Sequence, residues 1–303
     1  MEIIFICNMV IRFNLNESKS VSDEVVRISE EIVTKITEDS ENRKGFVGSV
    51  TNLVHKSGRF TYSTNSVIGD MTVEYTLFYF SGIAHYRYYE SSGIFNCSCD
   101  SDRNRIEVSG AVIGGVMEKS FVSSVAHEVN HLYQYRKGFK RNDGLYDTIV
   151  DIAGDYNCDI QARVPSFLVY YTFGHEVDSF AAQFYQMLKH GTGDYKHGFE
   201  SALLLFEPYT DIMWCVSYYK EHRNEDKVKD GIRLTGLTPK QWKIRVYFGL
   251  KRLRQKLYNA YCRYESETVL FKESADAKIG RSMRNFRNNG TTPIKLEPMF
   301  RFS

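Results

Sequence analysis

The chain has 303 residues, which is enough for one large domain or two modest ones, each with its own hydrophobic core. With 43% hydrophobic and 25% charged residues, its composition is that of a soluble globular protein. The net charge is only +2, but after residue 235 there are 15 Lys and Arg against 5 Asp and Glu. A basic last quarter therefore follows an acidic body.

The first thirteen residues, MEIIFICNMVIRF, are apolar. They lack a basic lead and a small-residue cleavage site and are too short to cross a bilayer, so we predict a strand rather than an export signal or membrane anchor. Six scattered cysteines favour reduced thiols over a disulfide framework. Cys97 and Cys99 are the only close pair, and we interpret their segment as a loop rather than a metal site. These features predict a cytoplasmic or virion-associated protein.

Helix and strand patterns alternate in the first part of the chain. Residues 17–40 predict an amphipathic helix with Ser22 as its N-cap. Its apolar face comprises Val25, Ile28, Ile32, Val33 and Ile36. Residues 45–80 are rich in β-branched and aromatic types interrupted by Gly, Ser and Asn, which predicts antiparallel strands. Residues 105–115, RIEVSGAVIGG, predict an edge strand that leads into the next helix and could pair with an extended substrate.

The stretch VSSVAHEVNHLYQY, residues 122–135, has the apolar spacing of a buried helix but also carries His127, Glu128 and His131. On a helix, residues i and i+4 have Cβ atoms about 5–6 Å apart. His127 and His131 could therefore bind one zinc ion at about 2.0–2.1 Å. Glu128 lies about 100° round the helix, where it suits a general base better than a ligand. The alternative is a pair of satisfied core histidines.

A catalytic zinc usually has three protein ligands and a water, so a third ligand must come from elsewhere. The segment at residues 170–185 has helical apolar spacing and carries His175, Glu176 and Asp178 near its start. All three are candidates, although the two acidic residues could simply favour the helix dipole. Between the motifs an aspartate recurs every four residues, at Asp143, Asp147, Asp151, Asp155 and Asp159. We expect a solvated acidic face, or one member that accepts the second N–H of a metal-binding histidine.

With HExxH at residues 127–131 and Glu176-Val177-Asp178-Ser179 later in the chain, the segment from Asn104 to Leu188 resembles the zincin metallopeptidases. It is most similar to gluzincin-like members, in which a Glu on a later helix completes the zinc site. The resemblance points to Glu176 as third ligand. Some members place an Asp or Asn four residues after that Glu, where this chain has Phe180, so its outer shell must differ.

The resemblance implies an α+β, zincin-like fold with a mixed or antiparallel sheet, an edge strand, the HExxH helix and a mostly helical C-terminal part. It also implies a Zn²⁺-dependent metallopeptidase that hydrolyses a peptide or protein substrate with zinc-bound water activated by Glu128. Tyr170, Tyr171 and His175 are candidates for stabilising the oxyanion. We predict a catalytic domain at residues 1–235, with a sheet part at 1–118 and a helical part at 119–235.

The last segment, residues 236–303, is predicted as a basic helix followed by an extended tail. Leu237-Thr238-Pro239 begins the helix, which we expect to end near Tyr264. This segment motivates an alternative function, a catalytically silent zincin-like module that docks in a larger assembly such as a phage particle. Its positive charge and aromatic residues could also bind nucleic acid, but no recognised motif accompanies them and we expect no such partner.

Overall fold

The computed structural model describes residues 21–48, 53–90, 94–139, 144–155, 158–191 and 198–275. The first half of the chain contains α1 (Asp23–Glu41), β1 (Phe46–Val47), β2 (Val54–Tyr62), β3 (Met71–Phe80), α2 (Ile83–Glu90), β4 (Cys97–Asp100), β5 (Arg105–Ile113), β6 (Val116–Met117) and α3 (Phe121–Arg136). The second half contains α4 (Gly144–Gly154), α5 (Ile160–Tyr170), α6 (Gly174–His190), α7 (Phe199–Leu204), α8 (Glu207–His222), α9 (Asp226–Leu234) and α10 (Pro239–Ala275). The fold class is therefore mixed α+β with a mostly helical second half, as predicted.

The six strands described form one mixed sheet in the order β1-β2-β3-β5-β4, with β6 also beside β5. The antiparallel strands predicted for residues 45–80 are confirmed as β1, β2 and β3, whereas β3 and β5 run parallel. The strand predicted at residues 105–115 is confirmed as β5, but its placement at the edge is wrong. β5 lies between β3 and β4, and β4 is formed by the CxC segment that was predicted to be a loop. A strand of four residues owes its conformation to pairing more than to its own propensity.

Three glycines of β5 and its following turn shape the approach of the HExxH helix to the sheet. Gly114 and Gly115 have φ values of 58° and 84°, as a two-residue hairpin turn between β5 and β6 requires. Gly110 of β5 lies under the first residue of α3, because a Cβ on this glycine would be 2.5 Å from the ring of Phe121. The helix can therefore lie directly against β5.

The core lies between the sheet and helices α1 and α3. Alternate residues of the strands point to this face, among them Val73 and Leu77 of β3 and Ile106 and Val108 of β5, all buried. On the opposite face, α2 packs its aromatic side chains against Phe80. The apolar face predicted for residues 17–40 is confirmed on α1, except that Val33 is only half-buried. Ser22 is the N-cap but makes no side-chain capping bond.

The late helix begins as predicted. Thr238 and Gln241 form a reciprocal capping box around Pro239, with Thr238 N donating to Gln241 Oε1 at 3.0 Å and Gln241 N to Thr238 Oγ1 at 3.3 Å. The helix continues past the predicted end to Ala275. Within the described ranges no helix is both long enough and apolar enough to cross a membrane.

The chain divides into two units. One comprises Lys19–Tyr261 and contains the sheet and all the predicted site residues. The other comprises Met1–Ser18 and Cys262–Ser303, of which only residues 262–275 are described. The strand predicted at residues 1–13 and the tail predicted after Lys278 lie outside the described residues. The boundary at residue 235 stays a prediction.

Candidate metal centre

The two predicted motif helices pack against each other. Helix α3 buries the apolar face predicted for it, from Val122 to Leu132. It ends at Arg136 with Lys137 as its C-cap, and Gly138 follows with a φ of 91°. Helix α6 buries Val177 and Phe184 from the second predicted face. Because α3 and α6 lie side by side, the polar residues at the margin of each apolar face meet in one place.

His127, His131 and Glu176 meet there and form a group that could hold a metal ion. The Nε2 atoms of the two histidines are 3.0 Å apart, and they lie 3.4 and 3.5 Å from Oε2 of Glu176. A tetrahedral shell with bonds of about 2.0–2.1 Å separates its ligand atoms by about 3.3–3.4 Å. The side chains are 12%, 17% and 1% exposed, respectively. Two imidazole nitrogens and a carboxylate are donors that suit zinc, so the residues fit the predicted ion.

The second nitrogen of each histidine is also engaged. Nδ1 of His127 lies 3.1 Å from Oε1 of Gln183, and Nδ1 of His131 lies 3.3 Å from Oγ of Ser179. Asn130 holds the serine in place by donating to its hydroxyl oxygen at 3.0 Å. When the Nδ1 atoms carry the hydrogens, both Nε2 atoms are left to bind a cation.

Glu176 is held on both of its oxygens. Tyr146 donates to Oε1 at 2.6 Å and Tyr170 donates to Oε2 at 2.9 Å. Burial by itself would raise the pKa of Glu176, but the charge of His131 and the close approach of His127 outweigh it and hold that pKa well below its usual range. The carboxylate is therefore ionised and ready to bind a cation.

The structure separates Glu176 from the other two candidates for third ligand. Nε2 of His175 makes no hydrogen bond and lies 3.4 Å from Oε1 of Glu176. The other two histidines face the second oxygen, Oε2. Asp178 lies with Oδ1 at 3.1 Å from Nζ of Lys256. Of the three, the residue that the structure brings to the histidine pair is Glu176.

Glu128 lines the same cleft as the three candidate ligands, which has a volume of about 320 Å³. Its side chain is buried, with 8% of the residue exposed. Burial raises the pKa of Glu128, against the opposing charges of His127 and His131. A carboxylate with a raised pKa is better matched to accepting a proton near neutral pH than an exposed glutamate is.

Strand β4 forms a wall of this cleft through Cys97, Ser98 and Cys99. The amide of Ser109 donates to the carbonyl oxygen of Asn96 at 2.9 Å, which makes these two a hydrogen-bonded pair of the antiparallel ladder. Hydrogen-bonded pairs alternate along such a ladder, so the backbone N–H and C=O of Cys97 point away from β5. Burial, together with the charge of Glu128, raises the pKa of the Cys97 thiol to about 12, so this thiol stays protonated.

The predicted acidic stripe does not form a continuous face. Asp147 and Asp151 are exposed on α4, Asp155 follows the end of that helix, and Asp159 is the N-cap of α5. Asp143 lies outside the described residues. The Nδ1 atoms of the histidines lie beside Gln183 and Ser179, so the solvated face is confirmed for the exposed described members, and a carboxylate partner from Asp143 stays untested.

Two other parts of the site were missed from the sequence. Ser179 and Gln183 follow Glu176 by three and seven residues, so helical periodicity alone could have placed all three on one face of α6. Tyr146 comes from α4, thirty residues before its partner Glu176, and no local pattern signals it. Of the oxyanion candidates, Tyr170 and His175 line the cleft, whereas the ring of Tyr171 packs on Phe180.

Comparison with protein families, with curated proteins and with solved structures finds no match to this chain. The geometry of this site is therefore the basis on which a function can be assigned.

Proposed function

We propose that this protein is a zinc-dependent peptidase, with His127, His131 and Glu176 as metal ligands and Glu128 as general base. The convergence of two Nε2 atoms and a carboxylate oxygen within 3.0–3.5 Å of one another carries the proposal. Three electron-rich atoms at these distances repel one another unless a cation or proton lies among them. Zinc at such a site supplies a Lewis acid that polarises a carbonyl group and acidifies water.

The chain itself supplies the groups for binding and proton transfer. The backbone N–H and C=O of Cys97, which point away from β5, can pair with an extended peptide that lies beside β4. Glu128 then accepts the proton of the attacking water and delivers it to the leaving amine. His175, which lines the cleft beside Glu176, is our candidate for stabilising the substrate oxygen on which negative charge develops.

The decisive experiment combines metal analysis with peptide cleavage by the purified full chain. We expect one zinc per chain and cleavage within a mixed peptide pool, detected by mass spectrometry. Glu128→Gln should keep the zinc and lose about 10²–10⁴-fold in rate, the usual contribution of a general base. Glu221→Gln is the matched control, because this side chain is 75% exposed on α8.

Two results would contradict the proposal. A wild-type chain that contains no zinc would contradict the proposed metal site. A Glu128→Gln variant as active as wild type would contradict the assignment of Glu128 as general base. A zinc-loaded wild type that cleaves no peptide would instead favour the silent binding module.

A further inference from the structure

The hydrogen bond between His127 and Gln183 joins the two site helices outside the ligand group. Gln183 lies two turns beyond Glu176 on α6, with Oε1 at 3.1 Å from Nδ1 of His127. An amide oxygen can only accept, so Nδ1 carries the hydrogen and a neutral His127 presents the lone pair of Nε2 to the other two ligands.

An aromatic ring of α6 also packs against His127. Phe180 packs against the imidazole of His127 with ring centroids 4.8 Å apart and an interplanar angle of 61°. On His131, the group beside Nδ1 is the hydroxyl of Ser179. Both outer partners found here are therefore neutral, whereas a carboxylate partner would make a charge-assisted bond and raise the basicity of the ligand.

We propose that Gln183 is the positioning residue for His127, and that its neutral amide sets the metal affinity of the site below what a carboxylate at the same position would give. The inference rests on the proposed zinc site. It assigns Gln183 no contact with substrate, because its oxygen faces the ring nitrogen that points away from the ligand group.

Position 183 is well suited to substitution. The side chain is half-buried and borders a second cavity of about 560 Å³, which is also lined by Ser124 of α3 and Met187 of α6. A side chain similar in size to Gln183 can therefore be placed here without repacking the core. A matched control exists one turn further along α6, where Gln186 is fully buried and donates to Val26 O at 3.0 Å and to Ser29 Oγ at 2.9 Å, away from both histidines.

The test measures zinc affinity of the full chain by competition with a chromophoric chelator, with no need for a substrate. Gln183→Leu, which removes the acceptor, should weaken zinc binding by about 10–100-fold, the usual effect of losing an outer-shell partner. Gln183→Glu, which keeps an acceptor and adds charge, should bind zinc more tightly than wild type, and an unchanged affinity would contradict the role given to the neutral amide. Gln186→Leu should lower thermal stability but leave the zinc affinity of the folded protein within about twofold.

Cobalt(II) provides a second readout that does not depend on stability. The visible absorption bands of the cobalt-loaded chain should shift in Gln183→Leu, because the ring of His127 is no longer oriented, and should return in Gln183→Glu. Zinc affinity of Gln183→Leu within twofold of wild type would overturn the inference while leaving the metal site intact. Equal losses in the Leu and Glu variants would also overturn it, because size rather than hydrogen bonding would then matter. A wild type that binds no zinc would overturn the proposed function as well.

Discussion

Replacement of Glu176 by Ala tests the third ligand, which lies far in sequence from the two histidines. Zinc binding to structural protein sites is worth about 10–16 kcal/mol, so one of three ligands contributes at least about 3 kcal/mol. Since each 1.4 kcal/mol corresponds to about tenfold, we expect zinc affinity to fall by at least about a hundredfold. Asp178→Ala should change it by less than about twofold, because Asp178 pairs with Lys256 at 3.1 Å and is 33% exposed.

The same substitution should also affect the metal-free protein. Glu176→Ala leaves the buried hydroxyl of Tyr146 and that of Tyr170 without their acceptor, and each loss costs about 1–3 kcal/mol. Glu176→Gln keeps an amide oxygen for one tyrosine but loses the charge, so its unfolding free energy should fall less while zinc is still lost. Urea unfolding in chelator and chelator competition with zinc measure the two effects separately.

The assignment of Glu176 as third ligand would be refuted if Asp178→Ala weakened zinc binding as much as Glu176→Ala does. It would also be refuted by a Glu176→Gln variant that binds zinc as tightly as wild type. Either result would mean that another group completes the site.

Two further predictions concern stability. Removing zinc with EDTA should lower the thermal unfolding temperature reversibly, because free zinc at a thousand times its Kd stabilises the folded chain by about 4 kcal/mol; Glu176→Ala should show no such shift. Gly249→Ala in α10 should destabilise the protein by about 1–3 kcal/mol in urea unfolding, because the new Cβ would lie 2.2 Å from Cβ of Thr172. The control is Gly144→Ala, which has nothing within 4 Å of the new methyl group and should be neutral or slightly stabilising. A Gly249→Ala variant as stable as this control would show that the contact with Thr172 relaxes freely.

Features that depend on the backbone geometry of one element were predictable from the sequence. A helix places residues i and i+4 on one face wherever it forms, so the pairing of His127 with His131 followed from their spacing. The same local logic predicted the apolar face of α1 and the capped start of α10, where Thr238 needs only Gln241 three residues later. Such features need no knowledge of what the element packs against.

The resemblance of the motifs favoured Glu176 as third ligand, but the sequence did not exclude His175 or Asp178. On α6 these residues differ by about 100° per step, so the rotation of α6 against α3 decides which one meets the histidines. That rotation is set by the burial of Val177 and Phe184, a property of the whole core.

The remaining parts of the site arise from residues distant in sequence. The four-residue strand β4 becomes a cleft wall only by pairing with β5, and Tyr146 reaches Glu176 only because α4 returns to the same end of α6. The sequence by itself determined the helix that carries His127, Glu128 and His131, because that information is local. Tertiary packing decided which carboxylate, which strand edge and which hydrogen-bond partners surround them, because those contacts depend on how separate elements share one core.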